Sequence, residues 1–395
     1  MSGQSPSLHL VMVASGYPPA QAAGLERGCQ RLSEALVRRG HDVTVVTGHA
    51  AGLPEDARED GVRVLRVLRP RGPGPLWGWS YRRQVRRWLN ELLPQWDLVM
   101  CHQLYLHSVE ANEIARKHGR RSCHLLVAAQ DYSDVTRLAS IRGGASLVRR
   151  AVDADALFVL SRFSRQELLA AGARPERVHD YRYFVDVDRF RPADDPPARE
   201  LLCLGRWHPQ KNLPLLLESF ALFAVRVPDV RLRIVGAGEE EVTLRRLVAA
   251  LPCRDRVIIE GWATDPLHAY QRSLALVTSS DAEGLSNVLI EAMATGTPVV
   301  TTDVSGAREA LDLVDAPPVA SGSVVVGRGG LLAPMRDAVA LAAALERVTR
   351  DEPLRQALSQ DARIRAVAAF SESASVSDFL TAVQSATAES VCDAR

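Results

Sequence analysis

The chain has 395 residues, enough for two or more domains. Its 47% hydrophobic and 24% charged content is that of a soluble globular protein, and no apolar run approaches the roughly 18 residues of a membrane span. The net charge of +1 divides unevenly: residues 1–185 carry 26 basic and 18 acidic side chains (+8), the remainder 22 and 29 (−7). A basic first half suits an anionic acceptor or a membrane surface, although ordinary surface asymmetry gives the same count.

Six cysteines (29, 101, 123, 203, 253 and 392) lie scattered, with no CxxC pair and no His/Cys cluster. That favours a reducing compartment and argues against a zinc site. With no signal-peptide charge pattern at the N-terminus either, a cytoplasmic protein is expected. Only two lysines occur, Lys117 and Lys211, among 48 basic residues. A lysine kept against that drift towards arginine marks a place where a guanidinium would not serve.

In chain order, Leu8 to Ala14 reads as a buried strand, followed by a Gly/Pro loop from Gly16 to Gly24. An amphipathic helix from about Leu25 to Arg39 and a strand from His41 to Thr47 complete a Rossmann-like opening without the GxGxxG fingerprint. Gly24, just before the helix, would let the backbone approach a ligand closely. Further strands are predicted at Val62–Val67, Asp97–Cys101, Leu125–Ala129 and Ala156–Leu160. Between them, Trp77, Trp79 and Trp88 interleave with Arg82, Arg83, Arg86 and Arg87. On a helix the four arginines share one face, which fits either peripheral membrane contact through residues 77–88 or a solvated basic face over a packed tryptophan. No nucleic-acid module accompanies the patch.

Tyr183 to Glu200, rich in Asp, Arg and Pro, reads as an interdomain linker. A second α/β series follows, with strands at Leu201–Leu204, Arg231–Val235, Val257–Glu260, Leu274–Thr278, Val299–Thr302 and Ser323–Val326. Helices close the chain at about Arg336–Thr349, Leu354–Val367 and Ser375–Ala386. The expected fold class is therefore α/β, two tandem Rossmann-like domains with a cleft between them and ligand at the carboxyl ends of the strands.

The most informative stretch runs from Ser279 to Asp303. It predicts a turn carrying Glu283 and Gly284, then a helix with Glu283 at its start and Glu291 two turns on, Gly296 ending it and Pro298 opening a strand. Free N–H groups around Gly284, Leu285 and Ser286 would make an anion site between two carboxylates set about 12 Å apart. Arg206 and Lys211 flank the loop after the first strand of the second series, at the same sheet edge. An anion flanked by hydroxyl-rich groups describes a nucleotide-sugar diphosphate, and charge building on its leaving phosphate would be met by the two cations and the amides. Gly236-Ala237-Gly238 reads as a tight turn at that edge.

Gly205-Arg206…Lys211-Asn212 and Glu283-x7-Glu291 within EGLSNVLIEAMATGTPVV resemble glycosyltransferase family 4, retaining enzymes of the GT-B fold. So do PPAQAAG through RGHDVTVVT, and Ser161-Arg-Phe-Ser. The resemblance implies that Arg206 and Lys211 hold the donor diphosphate with the amides of Gly284, Leu285 and Ser286, that Glu283 contacts the transferred sugar, and that Glu291 binds the ribose. These donor residues, with Gly24, form the expected site, and Glu283, Arg206 and Lys211 its catalytic set. The resemblance further implies that no metal or other cofactor is needed and that the last helix returns to the first domain. It thus divides the chain into an N-terminal acceptor domain (1–185, joined by 371–395) and a donor domain (198–370). Departures occur at Ala23-Gly24, where many members have two glycines, and at Tyr183-Phe184-Val185-Asp186 in place of Asn-Gly-Val-Asp. At Gln130-Asp131, on the acceptor or sugar side, a His before Asp is common. An amide can hydrogen-bond a sugar hydroxyl but cannot relay a proton.

The sequence therefore implies retaining transfer of a sugar from a nucleotide donor, expected to be a UDP-sugar. The acceptor is expected to be a small cyclitol or natural-product intermediate, with a lipid-linked or phosphorylated acceptor as the alternative. A nucleotide-sugar epimerase on the same scaffold and a non-catalytic binding module are the other readings.

Overall fold

The computed structural model describes residues 7–20, 24–263 and 265–392, with side chains up to residue 384. The chain divides into two compact units, Met1–Arg182 with Ser375–Arg395, and Tyr183–Ala374.

The first unit contains β1 (His9–Ala14), β2 (Asp42–Gly48), β3 (Asp56–Glu59), β4 (Val62–Leu68), β5 (Leu98–His102), β6 (Arg121–Leu126), β7 (Ala156–Val159) and β8 (Val178–Asp180). They form one sheet in the order β3-β4-β2-β1-β5-β6-β7-β8, parallel except where β3 turns back on β4. Val11, Val13, Val99, Cys101, Leu157 and Val159 pack one face of this sheet into the unit's core. The final helix, Glu372–Cys392, lies against this unit. Its Phe379 ring is 4.9 Å from that of Phe158, and its Val383 carbonyl accepts from Arg121 at 3.1 Å.

The second unit contains β9 (Glu200–Arg206), β10 (Arg231–Ala237), β11 (Val257–Glu260), β12 (Ala275–Thr278), β13 (Val299–Thr302), β14 (Val325–Gly327) and β15 (Gly330–Ala333). Their order is β11-β10-β9-β12-β13-β15-β14, parallel except for the β14–β15 hairpin. The order reverses direction between β9 and β12, so the loops leaving these neighbouring strands diverge. Such a switch point leaves a crevice at the carboxyl edge of the sheet, where open α/β sheets bind ligands.

Three strands fall outside the sequence-based expectation. β3 is an all-but-apolar-free edge (DARE), β8 has three residues, and β15 begins with glycine, so none shows a readable apolar period. One predicted strand is displaced. Leu125–Ala129 was expected, but β6 ends at Leu126 because the Asp134 carboxylate takes the Val127 N–H at 2.9 Å and pulls the chain off the ladder.

Candidate active site

Two loops meet at the β9/β12 switch point. After β9 the chain makes a short 3-10 turn, Pro209–Lys211, and Asn212 in the left-handed region (φ 45°) caps the Leu213–Arg226 helix by accepting from Leu215 N at 3.2 Å. After β12 comes Ser279 to Ser286. Five hydrogen bonds stitch the loops together. Ser279 Oγ donates to the Lys211 and Asn212 carbonyls at 2.8 and 3.0 Å, and Gln210 Nε2 donates to Ala282 O at 2.6 Å. The Asp281 amide reaches Gln210 O at 2.9 Å, and Asn212 Nδ2 reaches the Asp281 carboxylate at 3.1 Å.

This frame sets Lys211 against Glu283. The ammonium pairs with Glu283 Oε1, and Ser280 Oγ donates to the same oxygen at 3.0 Å. Both side chains are mostly covered, which strengthens the pair over an exposed one. Arg206, the last residue of β9, is exposed and makes no ion pair among the described residues. Lys211, Arg206, Gly205, Trp207, Thr278 and Ser280 line one concavity. His208 reports the field there: partial burial, followed by the charge of Arg206, holds its imidazole below the ordinary range.

The sequence placed Glu283 at a helix start; the structure corrects this. The helix spans Asn287–Ala294 with Ser286 as its cap, and Glu283 lies in the turn before it, so the two carboxylates do not share one helix. The helix is also buried almost all round rather than on one face, as expected where it packs between sheet and neighbouring helices. Among the described residues no hydrogen bond engages the N–H groups of Gly284, Leu285 and Ser286, the amides expected to face an anion. The turn is anchored from below. Gly306 N donates to Glu283 O at 3.1 Å, and a Cβ at Gly306 would stand 1.2 Å from Gly284 O. Glu291 sits inside the helix, 4% exposed, and accepts from Tyr270 OH at 2.9 Å.

Gly236 and Gly238 have a packing role the sequence did not reveal. Cβ atoms there would lie 1.9 Å from Gly205 O and 2.2 Å from Trp207 O, so both glycines let the Gly205–Trp207 backbone lie across the start of the next turn.

Gly24, Gln130 and Asp131 belong to the first unit. Gly24 is the first residue of the Gly24–Arg38 helix and is exposed; Ala23, the departure noted beside it, lies outside the described residues. Gln130 is half-buried with φ 56°, and Asp131 is exposed. The loop carrying them is clasped by Asp134, fully buried, which also accepts from Gln103 Nε2 at 3.0 Å. Burial outweighs these hydrogen bonds and raises the Asp134 carboxyl to about 6. Gln103 itself has φ 99°, a strained value for a residue with a side chain, and His107 Nε2 bonds its carbonyl at 2.8 Å.

The arginine–tryptophan helix, Pro75–Glu91, is less basic in context than in sequence. Arg82 and Arg86 both bond Glu110, which is 1% exposed, and Arg86 also reaches Glu113. Leu76 and Trp79, each 62% exposed, face outward together with Arg87, and Arg83 stacks over the Trp79 ring at 5.4 Å. Among the described residues no helix is long and apolar enough to cross a membrane, and no group of three or more His, Cys, Asp or Glu could hold a metal.

The family described as "Glycosyl transferases group 1" matches residues 185–365, and the "Glycosyl transferase 4-like domain" matches residues 23–179. The chain is 31% identical over 372 residues to a GDP-mannose-dependent alpha-(1-6)-phosphatidylinositol monomannoside mannosyltransferase of Mycolicibacterium smegmatis, covering 85% of this chain and 92% of that one. The fold is similar to that of sucrose-phosphate synthase from Thermosynechococcus elongatus (TM-score 0.78, 20% identity, 96% and 99% of the two chains). It is also similar to that of Anabaena Alr3699/HepE in complex with UDP (TM-score 0.73, 16% identity, 96% and 100%).

Proposed function

The chain belongs to the GT-B glycosyltransferases, enzymes that transfer a sugar from a nucleotide donor, and from that membership we propose a retaining transferase that uses a UDP-sugar without a metal. The observation that carries the reading is the Lys211–Glu283 pair, set beside exposed Arg206 and the unbonded Gly284–Ser286 amides. In this reading the donor's β-phosphate lies against Arg206, Lys211 and the amides. The transferred sugar lies against Glu283, and the ribose against Glu291. As the acceptor oxygen bonds the anomeric carbon, the bond to the β-phosphate oxygen breaks, its electron pair leaves with the diphosphate, and the acceptor hydroxyl's proton passes to that departing oxygen. The two cations and the amides stabilise that charge as it grows. Gln130 and Asp131 take the acceptor or sugar side, Gln130 by hydrogen bonding alone.

Uracil as the base is supported by the fold likeness to a protein solved with UDP; the mycobacterial relative, by its name, uses GDP-mannose. Incubation with UDP- and GDP-sugars, with release of nucleoside diphosphate and NMR of the product's anomeric proton, tests donor and stereochemistry together. Inversion at the anomeric carbon would overturn the retaining assignment. No observation favours the epimerase.

For the acceptor, the small cyclitol or natural product stands as the first reading. A second is favoured by one surface feature. Exposed Leu76 and Trp79 beside Arg83 suit contact with a membrane interface, where a lipid-linked acceptor would lie. Assay of transfer to a soluble polyol against a phosphoinositide in vesicles separates the two.

A further inference from the structure

Glu291 is buried at 4% exposure, and its aim is not set by its own helix alone. Its Oε2 accepts a hydrogen bond from Tyr270 OH, 2.9 Å away and 21 residues earlier in the chain. Tyr270 is fully buried and belongs to the short helix Leu267–Gln271. That helix is fixed in turn. The Tyr270 carbonyl accepts from Thr297 Oγ1 at 2.9 Å, Thr297 shares a hydrogen bond with Thr295 Oγ1 at 3.0 Å, and Thr295 N returns to Glu291 O at 3.1 Å. Gln271 Nε2 adds a bond to Arg191 O at 2.7 Å, and Arg363 Nη1 ties Ala294 O at 2.8 Å to the carbonyls of Val187 and Phe190. The carboxylate is thus held at both ends, by its backbone and by its tip.

We propose that Tyr270 is the positioning residue for the nucleoside half of the donor site, orienting Glu291 so that it accepts from the vicinal hydroxyls of a ribose. The proposal rests on the reading of Glu291 as the ribose ligand. A phenol donor takes only one of the roughly four lone-pair positions of a carboxylate, so it does not by itself exclude a diol. It also freezes the side-chain torsions before the ligand arrives, so the ordering cost is met in the folded protein rather than on binding. Without the phenol hydroxyl the glutamate keeps its place on the helix but loses its fixed direction.

The experiment is calorimetric titration of the full chain with UDP and with 2′,3′-dideoxy-UDP, using GDP and its dideoxy form if GDP proves the tighter ligand. Wild type is expected to bind the ribose form about tenfold or more tighter, the worth of one or two hydrogen bonds to a charged group. Tyr270→Phe keeps the ring in place and is expected to lose most of that preference while binding the dideoxy form as wild type does. Loss of affinity for both forms alike would show a merely structural role and overturn the proposal. So would a preference in Tyr270→Phe equal to that of wild type, which leaves the Glu291 reading standing. Absence of any preference in wild type would overturn the Glu291 reading itself, and the proposal with it. In a double-mutant cycle, Tyr270→Phe added to Glu291→Gln is expected to cost no further preference, and additivity of the two would again overturn the positioning role.

Discussion

Lys211 and Glu283, 72 residues apart in sequence, form an ion pair where the loops after β9 and β12 meet, with Ser280 donating to the same carboxylate oxygen. Each holds the other in place. Lys211→Ala is expected to lower kcat by about 10²–10³, the usual cost of removing one fixed donor to a developing anion. Glu283→Gln is expected to lose a comparable factor by a separate route, its charge towards the sugar. Thermal unfolding of both variants should stay within a few degrees of wild type, because the loops remain stitched by Ser279, Gln210 and Asn212. Steady-state kinetics beside calorimetry checks this, and wild-type turnover in either variant would sink the assigned roles.

Gly306 packs directly under the Glu283–Ser286 turn. A methyl group there would stand 1.2 Å from Gly284 O, closer than any relaxed contact, so the Glu283–Ser286 turn must move. Gly306→Ala is expected to cost about 1–3 kcal/mol of stability through overpacking and to weaken nucleotide affinity more than tenfold. Denaturant unfolding and titration with UDP measure the two effects. A well-folded variant with unchanged affinity would show that the turn does not bind the phosphate.

Much of this site was legible in the sequence, for a definite reason. Arg206 ends a strand, Lys211 and Glu283 each follow one closely, and parallel strands deliver their carboxyl ends and following loops to one edge, so adjacency could be inferred from order alone. The bounds of β11 and β13 matched because Val257–Glu260 and Val299–Thr302 are uniformly strand-like. The Asn287 helix start was missed because Glu283-Gly284-Leu285-Ser286 offers two competing openings, and the chain caps with the later one. Tyr270 carried no local signal, since its partner is fixed by tertiary packing. Asp134 was equally silent, a helix-start carboxylate in sequence and a loop clasp in the fold. Glu110 changed the meaning of the arginine helix by pairing with two of its guanidinium groups from a neighbouring helix.

The exposed aromatic edge gives a third expectation. Trp79 is 62% exposed and its ring carries Arg83, so Trp79→Ala removes little packing and should shift Tm by no more than a degree or two. If the acceptor is lipid-linked, the variant should bind anionic vesicles several-fold more weakly, and added salt should weaken wild type as well. Vesicle co-sedimentation at two ionic strengths checks it. Equal, negligible binding by wild type and variant would leave the small-acceptor reading in place.

Acid should unfold the first unit before the second. His102, His107 and His124 are all fully buried there, and burial depresses them from 6.5 to about 3, about 4 and about 3. The unfolded chain takes up these protons near pH 6.5 while the folded unit does not, so stability present above that pH is lost as pH falls towards 4. Each histidine contributes a slope approaching about 1.4 kcal/mol per pH unit. Asp134 acts in the opposite sense. Its carboxyl is raised to about 6, so the folded unit holds a proton that the unfolded chain releases near 4, and stability grows as pH falls through that window. Three histidines displaced over a wider range outweigh one aspartate, and the net effect below pH 6 is loss. Trp96, buried in the first unit, and Trp207, buried in the second, serve as separate reporters once the other tryptophans are replaced by phenylalanine. Urea unfolding followed at each should show the Trp96 midpoint falling between pH 7 and pH 5 while the Trp207 midpoint moves less. His124→Asn should flatten the Trp96 dependence, and equal shifts at both reporters would rule out the buried histidines as the cause.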